Sequence, residues 1–349
     1  MSVLNHTPFP ALAFRQYNLA GELNGVVVAR GTFDLVNNGP LVLASEQHPL
    51  IMADEYIGDP HKTIMTAQSD LVPFKPGTDI TFQGNTFAPN GKAQSSWLCG
   101  FRVGEIRKAF RVRGPRFWQS VTTYGRHSGW RLTEAAPVLE VPLEWHLAWG
   151  GVIPAKDDSE QDVCRFNPLG CGIVDLEHAD PNMRVPAPQI ENPDEPVMEW
   201  SREYEPWGSG PIPPWWRQRQ QYTGTYDEQW KNVRHPLLPK DFDYRFYQSA
   251  PPDQIATPWL KGDEVLGLIN LSPTMPRLVS WLPGIRLRMR LMRENGYGYA
   301  DLVLDGVHIV VKAEKTCVYL TWRAGFPWPD GNGMPEIAMV ASKTPEAII

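Results

Sequence analysis

The residues able to do chemistry fall into a few small groups. His235, Asp241 and Asp243 lie close together in HPLLPKDFD. A metal site needs nitrogen and oxygen ligands that converge on one point. The spacing matches no metal-ligand signature, and Asp beside proline in a turn usually accepts from the local backbone. The local reading is preferred, and neither a metal nor a cofactor is expected. Asp54 and Glu55, in MADEY, could form an acid/base pair, but adjacent strand residues point to opposite faces. They read as loop carboxylates. Asp157 and Asp158, in AKDDSEQD, read as solvated. The histidines are His6, His48, His61, His127, His146, His178, His235 and His308. None has a Ser or Cys partner in a recognisable nucleophile motif. His146 and His308 sit in apolar strands and read as packed or hydrogen-bonded residues at the edge of the core. Gly296-Tyr297-Gly298 begins a G-x-G pattern, but a strand follows it, so no helix N-terminus is offered to a phosphate. No catalytic residue emerges.

Residues suited to binding are more prominent. Arg286, Arg288 and Arg290 share one face of a strand, and Arg102, Arg107, Lys108, Arg111, Arg113 and Arg116 form a second basic cluster. Either could meet an acidic partner or nucleic acid. Charged outer faces also protect strands from edge-to-edge pairing. The protective or intramolecular reading is preferred, with the acidic Glu191–Glu205 stretch as a counterpart for one face. The stretch 200–254 interleaves proline with tryptophan, tyrosine and arginine. Trp215, Trp216, Arg217, Arg219, Tyr226 and Trp230 are its strongest interface candidates, because rigid aromatic and guanidinium groups dominate protein interfaces. The other reading is that these rings pin the irregular middle onto its neighbours. The sequence leaves both open.

The elements that position these groups are mainly strands. The 349 residues suffice for one large or two ordinary domains. Hydrophobic and charged contents of 42% and 21% are those of a globular chain, and a net charge of −6 disfavours a nucleic-acid binder working through bulk positive charge. Asn24–Leu35 is rich in β-branched residues. Ile80–Phe87 and Ser95–Val103 flank Asn90-Gly91, a hairpin signal. Ile106–Val112 alternates after the turn Gly104-Glu105. Apolar residues continue between Arg131 and Trp149. Residues 151–260 lose this periodicity, and much of the proline lies there, with a short helix expected at Asp227–Val233. Six tryptophans (Trp200, Trp207, Trp215, Trp216, Trp230 and Trp259) make that region an ordered connection rather than a solvated linker. Strands return at Glu264–Leu271, Arg277–Leu282 and Thr316–Trp322. Ile285–Arg293 alternates with period two, and Asp305-Gly306 is a second hairpin signal. The expected fold is mainly β: two strand-rich, sandwich-like parts, 1–150 and 261–349, joined by an ordered Pro/Trp-rich region, 151–260, with short helices.

No stretch approaches the roughly 18 apolar residues of a membrane span. The opening MSVLNHTPFPALAF lacks a cationic start followed by a long apolar run. The expectation is a cytoplasmic protein whose cysteines, Cys99, Cys164, Cys171 and Cys317, stay reduced.

A series of short motifs occurs in order: VPFKPGTD at 72–79, NPLGCG at 167–172, PQIENP at 188–193, GPI at 210–212, GTYD and Trp230 at 224–230, LPKDFD at 238–243, RF at 245–246, APPDQ at 250–254, then GDE at 262–264 and NLSP at 270–273. This series resembles a bacterial domain-of-unknown-function family of type VI secretion effector adaptors, over roughly residues 9–322. The resemblance implies a cytosolic chaperone without catalytic residues. It would bind a cognate effector, a toxin or PAAR-containing protein, keep it stable, and help load it onto the VgrG spike. No nucleic acid or membrane partner is implied. Two competing readings are a hydrolase with a site between the two β parts and a carbohydrate-binding protein with a tryptophan platform at Trp215 and Trp216.

Overall fold

The computed structural model describes residues 3–124, 126–153, 162–174, 184–293, 296–312, 316–328 and 335–342. Asp157, Asp158 and His178 lie outside the described residues. The fold is mainly β, with several sheets and two short α-helices among those residues.

The long strands, in chain order, are β1 (Ala11–Tyr17), β2 (Leu23–Asp34), β3 (Thr78–Phe87), β4 (Ser96–Val103), β5 (Ile106–Arg113), β6 (Val265–Ile269), β7 (Arg277–Trp281), β8 (Ile285–Arg293), β9 (Gly296–Asp301), β10 (Val303–Val311), β11 (Thr316–Pro327) and β12 (Glu336–Ser342). The largest sheet runs Glu140–Pro142, β3, β10, β11, β2, β1. A six-stranded sheet runs Ile190–Glu191, β5, β4, β6, β7, Gly39–Pro40. A four-stranded sheet runs Leu4–Asn5, β12, β8, β9. Both strand-rich ends of the chain are present, and they are interleaved. The β3–β10 pair is parallel and joins Asp79–Gly84 to Gly306–Val311, while β6 from the C-terminal end pairs with β4 from the N-terminal end.

The sequence pattern explains each placement. β2 is central and buried over most of its length, so its VVVA run is apolar without alternation. In β8, Leu287, Met289 and Leu291 are buried while Arg286 and Arg288 are exposed. In β5, Lys108, Phe110 and Val112 face inward. The largest and six-stranded sheets meet at one core, where Phe82 of β3 stacks on Phe101 of β4 with ring centroids 5.8 Å apart. Leu287, Met289, Leu291 and Ile337 of the four-stranded sheet belong to the same core.

Neither expected hairpin forms. Asn90 and Gly91 do adopt positive φ, 61° and 62°, but β3 and β4 enter different sheets. The turn carries the chain across the sandwich, because the inward rings of the two strands meet face to face rather than side by side. Asp305-Gly306 lies inside β10. Opposite β11 the register shifts between Leu304 and Gly306, so Asp305 is the extra residue of a bulge. The Gly104-Glu105 turn does join paired strands, β4 and β5, with Gly104 at φ 59°.

Candidate functional site

The carboxylates near His235 are occupied locally. Asp241 accepts from the backbone N–H and hydroxyl of Thr225, at 3.0 and 2.7 Å, and these bonds hold its carboxyl below the ordinary range. Asp243 caps a 3-10 turn and grips Arg245, which lowers its carboxyl pKa likewise. Asp54 accepts from the Ser69 N–H at 2.8 Å. Among the described residues no three His, Cys, Asp or Glu side chains converge as metal ligands would. His146 lies 3.1 Å from Glu144, and its side chain is about half exposed.

A different polar cluster lies in the interior. Arg30 of β2 faces Asp70 at 3.3 Å, Lys75 donates to Asp79 at 2.8 Å, and Arg323 of β11 donates to Asp305 at 2.6 Å. All six side chains are buried. Three cations balance three carboxylates, the condition under which such charges are tolerated inside a protein. Arg323 also donates to the carbonyls of Asp70 and Val72, and Asp79 accepts from the Ser249 N–H. The cluster therefore latches the 70–79 loop and the central segment onto the largest sheet. His308 is partly buried beside it, 2.7 Å from the Thr81 hydroxyl and stacked on Tyr319. Burial, then the charge of Arg30, pulls its pKa down to about 3. It is neutral at pH 7 and too weak a base to abstract a proton there. The adjoining cavity, lined by Arg30, Asp70, Lys75, Asp79 and His308 among others, measures about 50 Å³. That accommodates a water or two, against the 300 Å³ or more of usual ligand pockets.

The six interface candidates do not share one surface. Trp216 is 0% exposed and packs with Ile64, Trp145 and Ile212. Arg219, in α1 (Arg217–Gln220), is also buried, and donates to the carbonyls of Phe246 and Ile212 at 2.9 and 2.8 Å. Burial lowers its pKa against the pull of Asp54 and Asp79. These two residues staple the segment, and a two-tryptophan stacking platform is not presented. Trp215 is half-buried and donates to the Pro60 carbonyl at 3.2 Å, while Arg217 is exposed. Tyr226 is 52% exposed and packs edge-on against Trp230, whose indole donates to Leu237 at 2.8 Å. Trp230 belongs to α2 (Glu228–Val233), the expected helix, capped by Asp227. Val233, at 81% exposure, projects from its end.

Part of each basic cluster is engaged within the protein. Arg113 and Arg116 clamp Glu191, each at 2.8 Å, so the acidic stretch does meet that face. Buried Lys108 pairs with Asp253 and lies 3.2 Å above the ring of Trp207. Arg288 pairs with Asp301, and Arg290 with Glu336.

Most polar motif residues have structural posts of this kind. Lys75 and Asp79 belong to the buried cluster, Glu191 to the clamp and Asp227 to the cap. Asn167 is fully buried and donates to the carbonyls of Trp145 and Trp149. A family described as an uncharacterized protein conserved in bacteria (DUF2169) matches residues 20–323. The chain belongs to that family. All the ordered motifs, from residue 72 to residue 273, lie inside the matched span. No curated protein matches the chain, and no solved structure does. Among the described residues no helix is long and apolar enough to cross a membrane.

Proposed function

We propose that this member of the family is a type VI secretion effector adaptor. It binds a cognate effector, stabilises it in the bacterial cytoplasm, and helps load it onto the VgrG spike or its PAAR tip. The reading starts from the ordered motif series. The observation that carries it is the division of labour in the central segment. Trp216, Arg219, Asp241 and Asp243 hold that segment rigidly, while Tyr226 and Val233 are left in solvent on it. Apolar groups presented on an anchored, irregular surface suit a partner-binding protein. A hydrolase reading draws less support. The polar cavity is small, its charges neutralise one another, and His308 is held neutral.

The test is affinity purification of the tagged chain from its own cells. One protein encoded beside a secretion spike should be recovered at near-stoichiometric amount. Recovery of the chain alone, across a range of salt, would count against the adaptor reading.

A further inference from the structure

The outer face of the six-stranded sheet carries four arginines that form no ion pair among the described residues, although Glu191, already held by Arg113 and Arg116, stands opposite Arg111 in the register. Cross-strand register places Arg107 of β5 beside Arg102 of β4, and Arg102 beside Gly267 of β6. Arg277 of β7 stands beside Ile269, and Arg111 beside Leu98. With strands about 4.8 Å apart, these side chains form one patch. The stem of Arg102 lies across Gly267, where an added Cβ would come within 3.1 Å of its Cγ. Leu98 and Ile269 are 51% and 55% exposed between the arginines.

The contrast with the other basic faces is the informative point. Arg288, Arg290, Arg113 and Arg116 each reach a carboxylate. Among the described residues, none lies within ion-pair distance of Arg102, Arg107, Arg111 or Arg277. The Nε atoms of Arg102 and Arg111 are buried without an acceptor. Like charges directly opposite one another on adjacent strands are destabilising, yet Arg102 and Arg107 are so placed, in a chain whose net charge is −6.

We propose that this face is a docking surface for an acidic, aliphatic-rich segment of a partner protein. Carboxylates of that segment pair with the four arginines, and its aliphatic side chains cover Leu98 and Ile269. The proposal rests on the adaptor reading for the partner's role and adds the face and its chemistry. Exposed Leu98 and Ile269 favour protein over nucleic acid, which single-strand binders hold by aromatic stacking.

The probe is a synthetic amphipathic peptide of Glu-Leu-Leu-Glu repeats, compared with its Gln-for-Glu analogue and with duplex DNA. Binding is measured by fluorescence anisotropy, and phenylglyoxal labelling with mass spectrometry locates protected arginines. The Glu peptide should bind, weaken with salt, and protect Arg102, Arg107, Arg111 and Arg277. Arg102→Gln with Arg111→Gln, which put no like charge opposite Glu191, should weaken it at least about tenfold, the loss of a central anchor. Ile269→Ser should also weaken it, and both variants should melt near the wild-type temperature. Equal binding of the Gln analogue, protection of other arginines, or tighter binding of DNA that ignores Ile269→Ser would overturn the proposal. In cells lacking the chain, the double variant should fail to restore the partner that wild type restores. Full restoration would refute the face and leave the adaptor reading standing. A deletion without effect on any such partner would instead refute the adaptor reading.

Discussion

Replacing Trp216 by alanine separates a staple from an interface. The ring is fully buried and packs edge-on against Trp145 and Trp215, with centroids 5.3 and 6.0 Å away. Among the described residues its indole nitrogen has no hydrogen-bond partner, so truncation removes packing alone. Large-to-small changes of this type cost about 3–5 kcal/mol. At about 2.1 cal/mol/K per residue, the 349-residue chain has an unfolding entropy of about 0.7 kcal/mol/K, so Tm should fall by about 4–7 °C. Trp215→Ala is the control. That ring is half-buried, packs against Trp216 and His61 and donates to Pro60 at 3.2 Å, so its loss should cost less than that of Trp216, about 1–3 kcal/mol, or about 1–4 °C. Thermal melts followed by near-UV circular dichroism read both. A Trp216→Ala protein that melts with wild type would refute the assignment of this ring to the core.

Two further perturbations probe the buried cluster. Arg323→Met leaves Asp305 buried and unpaired, and should cost about 3–5 kcal/mol at pH 7 by urea titration; because burial already pushes the Asp305 carboxyl up, the deficit should shrink on acidification as that carboxyl takes a proton. His308 has a folded pKa of about 3 against an ordinary 6.5, so below pH 6.5 the unfolded chain binds a proton that the folded one refuses. Stability from this residue is therefore lost as pH falls from 6.5 towards 3, by about 2–3 kcal/mol at pH 4.5. His308→Gln should flatten the pH dependence by that amount, and an unchanged slope would show that this histidine is not held neutral.

The strands were legible where a single face is buried. The alternation of β8 and the turn before β5 read directly, because period-two burial leaves a local record. The paired hairpin signals misled for a physical reason. Asn90-Gly91 and Asp305-Gly306 permit positive φ or a bulge, but backbone permission does not choose a strand's neighbour. That choice is made by distant segments, as when β10 inserts between β3 and β11. The ionic cluster was illegible on the same grounds. Arg30, Asp70, Asp305 and Arg323 are far apart in sequence and meet only once the sheet is assembled. In sequence Trp216 and Arg219 are interface candidates with the stapling reading equally open, because their types suit either post, and only packing shows that both are interior.

The adaptor assignment meets its most direct test in the abundance of the cognate effector, quantified by mass spectrometry in wild-type cells, in cells lacking the chain, and in complemented cells. The account predicts that the effector encoded beside the secretion spike is depleted in the deletion strain, returns on complementation, and is secreted only when the chain is present. Unchanged effector abundance and secretion in the deletion strain would contradict it.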